Sequence, residues 1–178
     1  MKIPLKYLVL TPMFTALTAA GAFVRIPFPL APMTLQLLFV LMSGYMLGPS
    51  FGALSQILYV LTGLLGIPVF ANGGGPGYVF DPTFGFLIGF ILCSYISGKI
   101  YNIRRSVTGA IIGGIAGILA CYFTGLPYLY MVFNYHLGIK KTAGDVLLGA
   151  MIIFLPGDAL KLLISAHLTP LVLKRTGR

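Results

Sequence analysis

"MTLQLLFVLMSGYMLGPSFGALSQILYVLTGLLG", residues 33–66, carries no acidic or basic side chain and is interrupted once, by Gly-Pro-Ser at 48–50. One membrane crossing needs about 20 apolar residues, so the stretch is too long for one straight span. The break offers a way to divide it: Gly48 can end one helix and Pro49 can open the next. The stretch therefore predicts two helices, at 33–48 and 51–66, joined by a tight turn. Outward from this pair, further apolar runs lie at 7–23, 83–98, 107–125 and 143–173. The expectation is an all-α integral membrane protein, a bundle of six transmembrane helices.

Composition agrees. Of 178 residues, 58% are hydrophobic and 8% charged, and the mean hydropathy is +0.97. A soluble domain would need far more charge on its surface, so the surrounding solvent must be lipid. The length suits one transmembrane domain, 1–178, with no segment left for a soluble one. The first run, with "LTAAGA" at 17–22, imitates a signal peptide, but everything after it is also membrane-like and it reads as a span that stays.

The net charge is +9, from twelve Lys and Arg against Asp81, Asp145 and Asp158. In a soluble chain this would suggest nucleic acid; here the basic residues gather at span ends, where they orient the protein and meet anionic lipid. With both termini cytoplasmic, Lys2, Lys6, Lys99, Arg104, Arg105, Lys174, Arg175 and Arg178 lie inside and Arg25, Lys140 and Lys141 outside. That eight-to-three bias sets the expected topology in a cell membrane. The loops at 24–32, 66–82 and 126–142 then face outward, and "RIPFPLAPM" (25–33), with Pro27, Pro29 and Pro32, should run extended.

Two stretches can carry function. "GIPVFANGGGPGYVFDPTFGF" (66–86) holds Gly73, Gly74 and Gly75, whose backbone is open to unusual conformations and to a ligand, and prolines that restrain it. A loop at membrane depth is tolerated only over protein or a water-filled cavity. It reads as a pocket lid or as a connection anchored by aromatic residues. "FLPGDALKLLISAHL" (154–168) places Asp158 and Lys161 on one helix face. Ionisable residues inside a span are expensive and point to function, with a self-neutralising structural pair as the alternative. Asp158 lies sixteen residues before Lys174, about 24 Å at 1.5 Å per residue, which sets the pair in the outer half of the membrane.

Other signals are absent. No nucleotide-binding G-x-x-x-x-G-K-[ST] occurs, nor H-E-x-x-H or G-x-S-x-G. His136 and His167 are isolated, and Cys93 and Cys121 sit inside apolar runs as small hydrophobes. Binding is favoured over catalysis, and no metal or cofactor is expected. Ala16 and Ala20, four residues apart in the first helix, form a small-residue stripe suited to close helix approach, within the bundle or against a partner.

"FTALTAAGAF" (14–23), "MTLQLLFVLMSGYMLGP" (33–49), "GLLGIPVFANGGG" (63–75), "DPTFGFLIGF" (81–90) and "PGDALK" (156–161) together resemble the BioY family, over nearly the whole chain. These are the biotin-binding S components of energy-coupling-factor vitamin importers. The resemblance implies a six-helix bundle that takes biotin from outside and associates with a transmembrane coupling subunit and two ATPases. It implies that Asp158 and Lys161 hold the ureido ring, whose N–H donors and carbonyl match a carboxylate beside an ammonium. It also makes Ala16 and Ala20 a docking stripe for the coupling subunit. Some relatives carry an asparagine later in the glycine loop and an arginine after the P-x-x-G turn, where this chain has Gly74 and Leu87. Asn72 is then the candidate amide, the N–H groups of Gly73, Gly74 and Gly75 or the Tyr78 hydroxyl are candidates for the ligand carboxylate, and Gln36 is a further candidate wall residue. The alternatives are an S component for another water-soluble vitamin and a small membrane enzyme using Asp158 as base.

Overall fold

A computed structural model describes residues 4–28 and 30–175. Lys2, Pro29 and Arg178 lie outside the described residues. In chain order the elements are α1 (Leu5–Phe23), strands β1 (Arg25–Ile26) and β2 (Met33–Thr34), α2 (Gln36–Leu64), a 3-10 turn (Pro76–Phe80), α3 (Phe84–Ile103), α4 (Val107–Met131) and α5 (Ala143–Arg175). A π-helical turn, Val132–His136, continues α4. All five helices are long and apolar enough to cross a membrane.

The 33–66 stretch forms one element, α2, with a sharp fold inside it. Gly48 has φ 78° and ψ 178°, outside the helical region and strained for any residue with a Cβ. The two halves return alongside each other. Gln36 Nε2 donates to the Tyr59 hydroxyl at 2.7 Å and Gln56 Nε2 to Ser43 Oγ at 3.2 Å. Residues 23 apart in a straight helix would be separated by about 35 Å, so α2 is a helical hairpin.

Two boundaries differ from those expected. Helix α3 continues to Ile103 rather than stopping at 98, because Gly98 is a packing residue. A Cβ there would stand 2.5 Å from the Gly44 carbonyl oxygen, and one on Gly44 would stand 2.4 Å from that of Ser94. Small residues let helix backbones touch where lipid supplies no hydrophobic drive between helices. Helix α4 likewise runs past 125 to Met131 and into the π turn, carrying Pro127 inside it. Within a bundle, neighbouring groups satisfy what an internal proline frees.

Two ends follow from the contacts. At one, Tyr7 stacks on Phe51 with ring centroids 4.3 Å apart, and a Cβ on Gly48 would lie 3.2 Å from the Asn102 amide nitrogen. At the other, the β1–β2 hairpin pairs Arg25 with Thr34 and Ile26 with Met33, and Phe80 stacks on His136 at 4.7 Å. The expected extended stretch is thus a small β hairpin, and the glycine loop and the end of α4 lie at its end of the bundle. Cys93 and Cys121 are free and buried.

Candidate functional site

A cavity opens among these connections. It is lined by the β hairpin and the start of α2, by Ala71, Tyr78 and Thr83 of the glycine loop, and by one face each of α3, α4 and α5. Its volume is about 70 Å³, room for several waters at the ~10–15 Å³ that one requires.

Helix α5 contributes the charged groups. Asp158 and Lys161 are 6% and 7% exposed, and Lys161 Nζ donates to Asp158 Oδ1 at 2.6 Å. The i, i+3 spacing sets both on one face, and that face lines the cavity. Opposite, the Tyr122 hydroxyl of α4 donates to Asp158 Oδ2 at 2.6 Å. Both carboxylate oxygens are therefore engaged, as a buried charge requires. Tyr122 carries no pattern that would separate it from other tyrosines in apolar runs; only the need of a buried phenol for a partner marks it.

Around this polar centre the wall is apolar. Phe86 meets Tyr122 and Phe154 edge-on, with centroids 6.5 Å and 6.1 Å apart, and Phe90, Leu87 and Ile118 complete it. Leu87 is buried. Gln36 lines the cavity with its amide committed: Nε2 donates to Tyr59, and Oε1 accepts from Thr34 Oγ1 at 2.8 Å.

The glycine loop is built from beneath. The Phe70 ring, 1% exposed, occupies the space where Gly63 lacks a side chain and packs on Tyr59 and Tyr78. The Tyr59 hydroxyl donates to the Val69 carbonyl at 3.0 Å. Phe70 and Gly73 exchange backbone hydrogen bonds, and Gly75 N–H donates to the Gly63 carbonyl at 2.7 Å. Gly75 has φ 104°, the left-handed region that glycine enters without strain. Gly73 and Gly75 thus spend their N–H groups closing the loop, and Gly74 is exposed. None of these three glycines lines the cavity, nor does Asn72; Ala71 does.

Asn72 lies outside, accepting from Arg25 Nη1 at 3.1 Å and donating to Asp81 Oδ2 at 3.3 Å. Tyr78 is at the wall. Its hydroxyl is 3.0 Å from Thr83 Oγ1, which in turn donates to Asp81 Oδ1 at 2.6 Å. Burial pushes the Tyr78 phenol above its ordinary range, so it is a neutral donor at physiological pH. Ala16 and Ala20 are both exposed on α1, away from the bundle interior.

Comparison with known proteins places this architecture. The family model described as the BioY family matches residues 1–178. The chain belongs to the BioY family. A BioY relative, a probable biotin transporter from Lysinibacillus sphaericus, is 45% identical over 79% of this chain and 73% of its own length. A biotin transporter BioY from Thermotoga maritima is 36% identical over 91% and 92%. A 2.1 Å crystal structure of an S-component for biotin from an ECF-type ABC transporter shares the BioY-like fold at a TM-score of 0.81. It is 23% identical, with 96% of this chain and 92% of that one covered.

Proposed function

We propose that this chain is the substrate-capture subunit of a biotin importer, binding biotin from outside with high affinity and catalysing no reaction. Family membership and the relatives' function as biotin transporters support the reading. The observation that carries it is the buried Asp158–Lys161 pair, facing a cavity of mainly apolar wall. Biotin's ureido group asks for an acceptor and a donor side by side, and its thioether ring and valeryl chain ask for aromatic walls. Phe86, Phe90 and Phe154 offer these. Gln36 and Tyr78 contribute polar edges, and Asn72 with Gly73, Gly74 and Gly75 shapes the loop that closes over the ligand.

The glycine loop and the β hairpin cover the cavity, and entry from outside runs between them. Counting the two arms of α2 separately gives a bundle of six helices. With the basic residues at the closed end on the cytoplasmic side, both termini are cytoplasmic in a multi-pass cell-membrane domain spanning 1–178. Ala16 and Ala20, exposed on α1, serve as the docking stripe for a transmembrane coupling subunit, which two ATPases energise. No cofactor or nucleic acid takes part.

The test is labelled-biotin binding to the purified protein, wild type against Asp158→Asn, with other vitamins as competitors and thermal unfolding as the check on folding. The near-isosteric change should lower affinity at least a hundredfold. A folded wild type that binds no biotin, or that prefers another vitamin, overturns the proposal. Unchanged affinity in Asp158→Asn reduces the pair to a structural role.

A further inference from the structure

Biotin is an anion at neutral pH, and the base of the cavity has no free charge to meet it, because Lys161 is neutralised by Asp158 at 2.6 Å. Several neutral donors near the glycine loop are already engaged as well. Gly73 and Gly75 donate inside the loop. Thr83 Oγ1 gives its proton to Asp81 and accepts from Tyr78. Gln36 donates to Tyr59.

One cation stands at the mouth. Arg25, in β1, lines an outer cavity that shares Ala31, Pro32 and Thr83 with the main one. Its Nη1 donates to the Ala71 carbonyl and to Asn72 Oδ1, both neutral acceptors. Among the described residues the one ion pair is Lys161–Asp158, so no carboxylate pairs with Arg25. Asp81, the acid of the outer cavity, turns its oxygens to Thr83 N–H at 2.8 Å, Thr83 Oγ1 and Asn72. Arg25 Nε and Nη2 have no partner among the described residues.

We infer that Arg25 is the anchor for the ligand carboxylate, a specificity determinant at the outer cavity. The inference rests on the capture of biotin proposed above. With the ureido group at Asp158 and Lys161, the valeryl chain passes between the aromatic wall and Thr83 towards the mouth, where its carboxylate remains close to water. There it takes the fork-shaped donor face that Arg25 leaves open. Guanidinium suits this role because its paired N–H groups match the two oxygens of a carboxylate. Because Arg25 also holds the Ala71 carbonyl, the same side chain ties the bound anion to the glycine loop, and the correct tail favours closure.

The experiment compares binding of biotin and biotinamide, in which a neutral amide replaces the carboxylate, to wild type, Arg25→Gln and Arg25→Lys reconstituted in lipid nanodiscs. Wild type should prefer biotin by about ten- to a hundredfold, the range of a charge-assisted hydrogen bond. Arg25→Gln should lose that preference, its affinity falling about ten- to a hundredfold further for biotin than for biotinamide, and Arg25→Lys should recover part of it. An equal loss for both ligands in Arg25→Gln would mean that Arg25 only latches the loop, and would overturn the inference. So would a wild type that binds the two alike, or an Arg25→Gln protein that still discriminates. A wild type that binds neither compound sinks the biotin reading itself, a result distinct from these.

Discussion

The Tyr122 hydroxyl donates to Oδ2 of Asp158 across 2.6 Å, joining α4 to α5 inside the cavity. The bond makes the charged pair a triad spread over two helices, all three members of which line the cavity.

Tyr122→Phe removes one donor and leaves a buried carboxylate oxygen unsatisfied. Such a loss costs about 1–3 kcal/mol. Biotin affinity should fall about tenfold, less than for Asp158→Asn, and the thermal midpoint should drop by several degrees. Isothermal titration and thermal unfolding in detergent measure the two. Affinity unchanged within twofold would show that Tyr122 does not position Asp158.

At the fold in α2, Gly48→Ala would force a Cβ into a backbone conformation with φ 78° and within 3.2 Å of the Asn102 amide nitrogen. The expected cost is about 1–3 kcal/mol, read as a midpoint lowered by several degrees. Gly77→Ala is the control: a Cβ at Gly77 meets open space and its φ is not positive. Its midpoint should stay within about a degree of wild type.

On α1, Ala16 and Ala20 face away from the bundle. Replacing either with leucine should leave the thermal midpoint and the biotin affinity unchanged, while co-purification with the coupling subunit and biotin uptake by cells fall sharply. A drop in stability would instead place the stripe in internal packing. Retained co-purification with normal uptake would remove the docking role.

Much of this was legible in the residues. The apolar runs located the helices, most closely at their starts, because lipid exposure demands long uncharged stretches, and the Asp158–Lys161 spacing placed both groups on one face. Three things were hidden. The runs at 83–98 and 107–125 end short of α3 and α4, which continue to Ile103 and Met131 with Gly98 and Pro127 inside them, since contact between helices decides whether a glycine packs or a proline is tolerated. Tyr122 lies 36 residues from its partner, and no local period links them. The loop glycines looked open to a ligand, but the N–H groups of Gly73 and Gly75 face inward because Phe70 fills the gap at Gly63. That arrangement depends on two residues from different segments.

The fold at Gly48 also has a consequence for the surrounding bilayer. The first arm of α2, Gln36 to Leu47, is about 18 Å long at 1.5 Å per residue, short of the ~30 Å hydrocarbon thickness. Helix α5, with 33 residues, is about 50 Å long and exceeds it. The short arm is mostly buried within the bundle, whereas α5, exposed at Leu148, Ile152, Leu160 and Leu171, meets lipid over a length that exceeds the hydrocarbon, a mismatch relieved by tilt or by local thickening of the bilayer. The molecule therefore has a preferred lean, and its energy depends on the length of the acyl chains around it.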